Sequence, residues 1–378
     1  MNNELIEYPL SFMDALYYEN KLWFFDSGVQ RLCSIEIGTG DIKVYVDVEF
    51  PNGICRKVFR IDNRVYWVST QGDISYSELG QGLQIVKTFQ HNFLYEYSMK
   101  EAFFHDNAIW CIPSCTTYPI MVFDVKKEVF LELQIFTSNR SILTARCIAS
   151  SLYFSIDNES ALYEYDVHES KIVKWDLPFN MEIGGFDGNG TFFWLREKIG
   201  YKIHKWSKKE GVIKSYDFEI YQEQEKSELN AKAYLVNNDK VFLLPDKSHT
   251  IAYVDEKEGC LKRVKWLDDM SCLSNRYQKM FSIGNLCVED KWILFPWGGN
   301  IVTQVNLNEL SANGIHISFE ENKLCFMTNL QSVSIIAESE FISLDRYIEL
   351  LSNRELRVGK ENDYMSVGKK IMLTLWKE

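Results

Sequence analysis

The sequence predicts an all-β fold, a β-propeller of about seven four-stranded blades followed by a short C-terminal helical tail. Three observations carry this expectation. First, an apolar strand, a polar step and a second strand opening on an aromatic recur along the chain. Second, the marker aromatics Trp23, Trp67, Trp110, Tyr153, Trp194, Phe242 and Trp292 are separated by 44, 43, 43, 41, 48 and 50 residues. Third, aromatics make up 14% of the 378 residues, while prolines number only 7. A period just over forty with a large aromatic per repeat suits a ring of small sheets. Each such sheet has two faces that only its neighbours can cover.

Each unit reads as strand A, a short turn, strand B, a loop, strand C, a short turn and strand D. The A–B steps are Glu19-Asn20, Asp62-Asn63, Asp106-Asn107, Ala149-Ser150, Asn189-Gly190, Asn238-Asp239 and Glu289-Asp290. Strand C closes on Asp124, Asp166, Asp255 or Asn306. Asp and Asn suit a turn there because their side chains can accept from the backbone two residues on. In the first unit glycine takes that part, at Gly38 and Gly40, where a positive φ is accessible. The marker aromatics are expected in the core, filling the wedge between blades.

The ends follow the same logic. Residues 4–9 could supply a strand that closes the ring. Residues 314–339 still read as strands, at 315–319, 323–327 and 332–337, which is more than seven blades strictly need. An eighth, composite blade is the alternative to seven. Beyond them Leu344, Tyr347, Ile348 and Leu351 have the spacing of an amphipathic helix. Ser343 caps it and Asp345 favours its positive end. The expected organisation is a propeller over 1–340 and a helical tail over 341–378, packing on the propeller or serving self-association.

Bulk composition excludes several classes. The formal charge is -12, with 41 basic residues scattered among 53 acidic ones, against nucleic acid as the partner. The N-terminal residues show no secretion signal. Apolar runs of about six residues fall far short of the ~18–20 that span a bilayer, so no membrane partner is expected. Nine cysteines without a CxxC pair predict reduced thiols and a cytoplasmic protein. Six scattered histidines form no HxH or HExxH pair, and P-loop, GxSxG and GxGxxG motifs are lacking. No metal and no cofactor are expected.

Over roughly residues 10–320 the chain resembles propellers of the kelch-like or galactose-oxidase-central-domain kind. Gly298-Gly299 sits where kelch repeats carry a glycine doublet, while Gly184-Gly185 falls in a strand A. The WD40 signature and the sialidase Asp-box are absent. The resemblance implies the propeller architecture and no particular activity.

In such a ring the A–B and C–D turns share one face, and the B–C loops and D–A connections share the other. The turns here are short and repetitive; the irregular sequence lies in the second set. It includes two long D–A inserts, 219–228, read as helical, and 267–279. Variable loops on a rigid scaffold are where binding residues concentrate. The nominees on that face are Tyr118, Arg196, His249 and Trp297, since aromatics and arginine anchor interfaces. The expected function is a non-catalytic binding scaffold for a protein, peptide or glycan-like ligand. The alternative is a glycan hydrolase or lyase drawing its acid and base from Asp26, Asp246, His249, Tyr118 and Arg196.

Overall fold

In the computed structural model the chain forms seven consecutive antiparallel blades. The structure describes residues 10–317, apart from 52, 94–96, 137–138, 179–181, 199–201, 218–230, 238–239, 246–250 and 268–280. Strand A is Leu16–Tyr18 in blade 1, Cys55–Ile61 in blade 2, Met99–His105 in blade 3 and Ile142–Ile148 in blade 4. It is Ile183–Gly188 in blade 5, Ala231–Asn237 in blade 6 and Phe281–Val288 in blade 7. From one blade to the next, strands A lie beside one another in most cases, so they line the axis of the ring.

The core is divided among the seven blade interfaces. Trp67 packs with Phe25 of blade 1, whereas its neighbour Tyr66 packs with Phe123 of blade 3. Trp110 faces Phe154, and Trp292 faces Phe242. The physical cause is the two-residue period of a strand, which sends successive side chains to opposite faces. Both faces of strand B are covered, so it reads as a continuous apolar run. Trp67, Trp110, Tyr153, Trp194, Phe242 and Trp292 are buried, as expected. Trp23 is half-buried, tilted over Tyr45 with ring centroids 5.4 Å apart.

The turns also follow the sequence. Asn20 and Asn107 take φ of 61° and 58°, each after a residue that is also left-handed, as tight hairpins demand. The Asp124 carboxylate accepts the N–H groups of Lys126 and Lys127. Asp166, Asp255 and Asn306 repeat that arrangement in blades 4, 6 and 7.

Ring closure is carried by a strap ahead of blade 1. Leu10–Ser11 pairs with the end of strand B of blade 7, Lys291–Gly299. Ser11 Oγ accepts the Gly298 N–H at 2.8 Å. Phe12, fully buried, then stacks on Phe24 of blade 1 at 3.7 Å and tilts onto Phe295 of blade 7 at 4.9 Å. The strap runs so close to strand A of blade 7 that a Cβ on Gly284 would overlap the Met13 carbonyl oxygen. The predicted closing strand at 4–9 lies outside the described residues. The extra strand predicted at 315–319 is in part the last strand of blade 7, Ser311–His316. That assignment leaves seven blades. The segments 323–327 and 332–337, both long D–A inserts and the tail over 341–378 lie outside the described residues.

No helix among the described residues is long and apolar enough to cross a membrane. The seven described cysteines form no disulfide.

Candidate functional site

The inner strands share one irregularity. In blades 2 to 7 the pairing of strands A and B shifts register near the start of strand A, for example between Cys55 and Lys57, Met99 and Glu101, and Ile183 and Gly185. These shifts lie level with the end of strand B, where Cys55 pairs with Ser69 and Met99 with Pro113. They therefore sit at the mouth of the central channel on the B–C/D–A face. A bulge leaves one residue unpaired and redirects side chains that would otherwise alternate. The residues passed over by the pairing include Arg56 in blade 2, Lys100 in blade 3, Leu143 in blade 4 and Gly184 in blade 5.

The consequence is a network of six charged groups running across blades 1 to 4. Asp14, just ahead of blade 1, accepts the N–H groups of Ala15 and Val58 at 3.0 Å each. Its Oδ2 lies 3.7 Å from Lys57 Nζ. Lys57 Nζ is also 3.7 Å from Glu101 Oε1. Glu101 accepts the Ala102 N–H at 3.1 Å and meets Arg146 Nη1 of blade 4 at 3.3 Å. Negative and positive groups thus alternate from blade to blade. Two further cations, Arg56 and Lys100, stand beside this chain, and the Arg56 guanidinium donates to the Lys100 carbonyl oxygen through Nε at 3.1 Å and through Nη2.

Four cations face two carboxylates, an excess of two positive charges in a protein of formal charge -12. The electrostatics reflect that excess. Burial lowers the Lys100 pKa, and the nearby Arg56 lowers it further. Burial likewise lowers Arg56, with Arg146 adding to it and Glu101 opposing. Burial acts against the Glu101 charge, yet Lys57, Arg146 and Arg56 outweigh it and hold that carboxyl below its ordinary value. Burial raises Asp14, and Lys57 and the two N–H donors offset this only in part. Lys57 is raised: burial opposes its charge, but Asp14 and Glu101 prevail. An anion at the mouth would stabilise the charged forms of Lys100 and Arg56.

The predicted site residues are distributed around this mouth. Arg196 is buried at the end of strand B of blade 5, where its guanidinium occupies the space a side chain on Gly184 would need. The blade whose bulge carries glycine thus holds a buried arginine beside it. Tyr118 lies in the B–C loop of blade 3, part-buried between Phe93 and Tyr97, with ring centroids 6.2 and 6.1 Å away. Trp297 is half-buried in strand B of blade 7, opposite Ser11 of the closing strap. His249 and Asp246 lie outside the described residues. Asp26 is buried and accepts the N–H groups of Ser11, Gly28 and Val29. It serves the strap and its turn. A cavity of about 310 Å³ near His91, Met121 and Phe130 opens beside the outer strand of blade 2, away from the charged network.

Arg56, Lys57, Lys100, Glu101, Arg146 and Asp14 were not singled out by sequence reasoning. Their signal was nonetheless there: Cys55-Arg-Lys-Val and Met99-Lys-Glu-Ala place charge pairs near the start of strands bound for the interior.

No family model matches the chain, and no curated protein matches it. Its similarity is to solved propellers. A catalytically inactive virginiamycin B lyase from Staphylococcus aureus, solved with quinupristin, superposes with TM-score 0.57 at 13% identity, covering 79% of this chain and 94% of that one. The WD40 β-propeller domain of Doa1 gives 0.52 at 13% identity, with 78% and 93% covered. A putative 6-phosphogluconolactonase from Bacteroides fragilis gives 0.52 at 10% identity, with 84% and 97% covered. At these identities the likeness is one of fold, and the chain has the β-propeller fold.

Proposed function

We propose that the protein is a binding propeller that holds an anionic segment of a protein, peptide or glycan-like partner at the channel mouth on its B–C/D–A face. One observation carries this reading: the bulged inner strands of blades 2 and 3 bring Arg56 and Lys100 beside an already neutralised Asp14–Lys57–Glu101–Arg146 chain. Cations that burial weakens, and that form no ion pair within 4 Å among the described residues, favour an incoming anion. The acidic balance elsewhere discourages anions from other surfaces. A cytoplasmic setting fits the free thiols of the seven described cysteines, and self-association through 341–378 belongs to the same proposal.

The glycan-active enzyme is the second reading. It is supported by two carboxyls, Asp14 and Glu101, that one lysine separates and whose pKa values move in opposite directions. Against it, both Asp14 oxygens already accept backbone N–H groups, which suits a structural carboxylate better than a proton donor.

A short oligoglutamate peptide labelled with a fluorophore tests the binding reading by anisotropy. The wild type is expected to bind at low salt and lose affinity as salt rises. Arg56→Gln combined with Lys100→Gln should reduce binding at least about tenfold, since two charge-assisted contacts are lost. Binding that is absent at low salt, or unchanged in the double variant, overturns the proposal. Glycan cleavage that Asp14→Asn abolishes would favour the enzyme.

A further inference from the structure

The opposite face of the ring carries a second cluster. His105 ends strand A of blade 3, Asp106 begins the A–B turn that follows, and His168 lies in the C–D turn of blade 4. The two histidines are 63 residues apart in sequence, which hides the cluster from motif inspection. Their ligand-type atoms lie within 4.8 Å of one another. Asp106 Oδ2 is 3.7 Å from His105 Nε2 and 3.8 Å from His168 Nδ1. The two imidazoles meet edge to face with centroids 5.8 Å apart. His105 Nε2 is buried and makes no hydrogen bond among the described residues. It points toward the shared carboxylate while lacking the partner a buried ring nitrogen normally has.

We propose that His105, Asp106 and His168 bind a divalent transition-metal ion of the zinc or cobalt(II) class, joining the turns of blades 3 and 4. Two imidazole nitrogens and one carboxylate oxygen form a donor set suited to these ions. Metal–ligand bonds of about 2.0–2.2 Å bring donor atoms to about 3.4 Å of one another, so the carboxylate contacts must shorten by about 0.4 Å and the widest pair by up to about 1.5 Å. The side chains of Asp106 and His168 are 62% and 64% exposed, so they can make that adjustment without moving the blades. The ion would satisfy His105 Nε2. Three protein ligands leave further coordination positions open to water or to a donor from a partner. This site is independent of the anionic-ligand reading, since it lies on the A–B/C–D face, at the opposite end of the strand that carries Lys100 and Glu101, and shares no residue with the charged network.

The test is titration of the full chain with Co²⁺, followed by its visible d–d absorption, and displacement by Zn²⁺. The expected result is a saturable absorption stronger than that of the aquo ion, with one equivalent at this site. His168→Gln and Asp106→Asn, both at exposed positions, should each weaken binding at least about tenfold. His316→Gln, an exposed histidine outside the cluster, should leave it unchanged. Zn²⁺ should also raise the unfolding temperature of the wild type and not of His168→Gln, because only a folded-state ligand stabilises. Absorption no stronger than the free ion, or binding that survives undiminished in both ligand variants, overturns the assignment.

Discussion

Glu101→Gln tests the charged mouth in stability and in binding at once, with opposite signs. Glu101 compensates two cations, Lys57 at 3.7 Å and Arg146 at 3.3 Å. Glutamine keeps the shape and can still accept the Ala102 N–H, so the change isolates charge. Breaking a fully buried ion pair by removing one partner costs about 3–5 kcal/mol. The side chains of Lys57 and Arg146 retain 25% and 23% exposure along the channel, so channel water recovers part of this. About 2–3 kcal/mol is the expected loss, read as a lower urea midpoint with an unchanged slope. Binding should move the other way, because the excess at the mouth rises from two positive charges to three. One further unit charge about 8 Å from an anion contributes about 2 kcal/mol at an effective dielectric near 20, less with salt. Oligoglutamate should therefore bind roughly tenfold more tightly at low salt. A variant as stable as the wild type would show that the network does not join the blades. A less stable variant that also binds oligoglutamate more weakly would show that the mouth does not recognise anions.

Three further predictions concern pH and ring closure. Glu101 has a lowered pKa in the folded state, so its contribution is present above the unfolded value of about 4.3 and is lost as pH falls through the folded value. The stability gap between wild type and Glu101→Gln should be full near pH 6 and shrink on approach to pH 3 in urea titrations. Phe12→Ala removes a fully buried ring from between Phe24 and Phe295 and should cost about 3–5 kcal/mol, with hydrogen exchange accelerated in the strap and in strand B of blade 7; a loss under about 1 kcal/mol would mean that the strap does not close the ring. Gly284→Ala should cost about 3 kcal/mol or lower expression outright, because its Cβ would overlap the Met13 carbonyl; wild-type thermal stability would refute that close approach.

The repeat is legible in the chain alone. The marker aromatics, the Asp and Asn turns and the apolar runs of strand B are local signals, each set by strand periodicity and turn chemistry within a few residues. They sufficed for seven four-stranded blades and for the burial of Trp67, Trp110 and Trp292. The closing strap was legible only as an expectation at 4–9. The described pairing falls at Leu10–Ser11, because a two-residue strand has too little pattern to be read. Residue type and nearness to the B–C loops single out Tyr118, Arg196 and Trp297 in the sequence. Only the folded ring decided that Tyr118 packs among Phe93 and Tyr97, that Arg196 fills the space above Gly184 and that Trp297 faces the strap. The charged mouth and the His105–Asp106–His168 cluster are likewise tertiary. Asp14, Lys57, Glu101 and Arg146 stand about one repeat apart in the chain and become neighbours because each repeat turns its first strand toward the same axis. Periodicity announces that such an axis exists, but bulges and blade-to-blade register decide which side chains meet there.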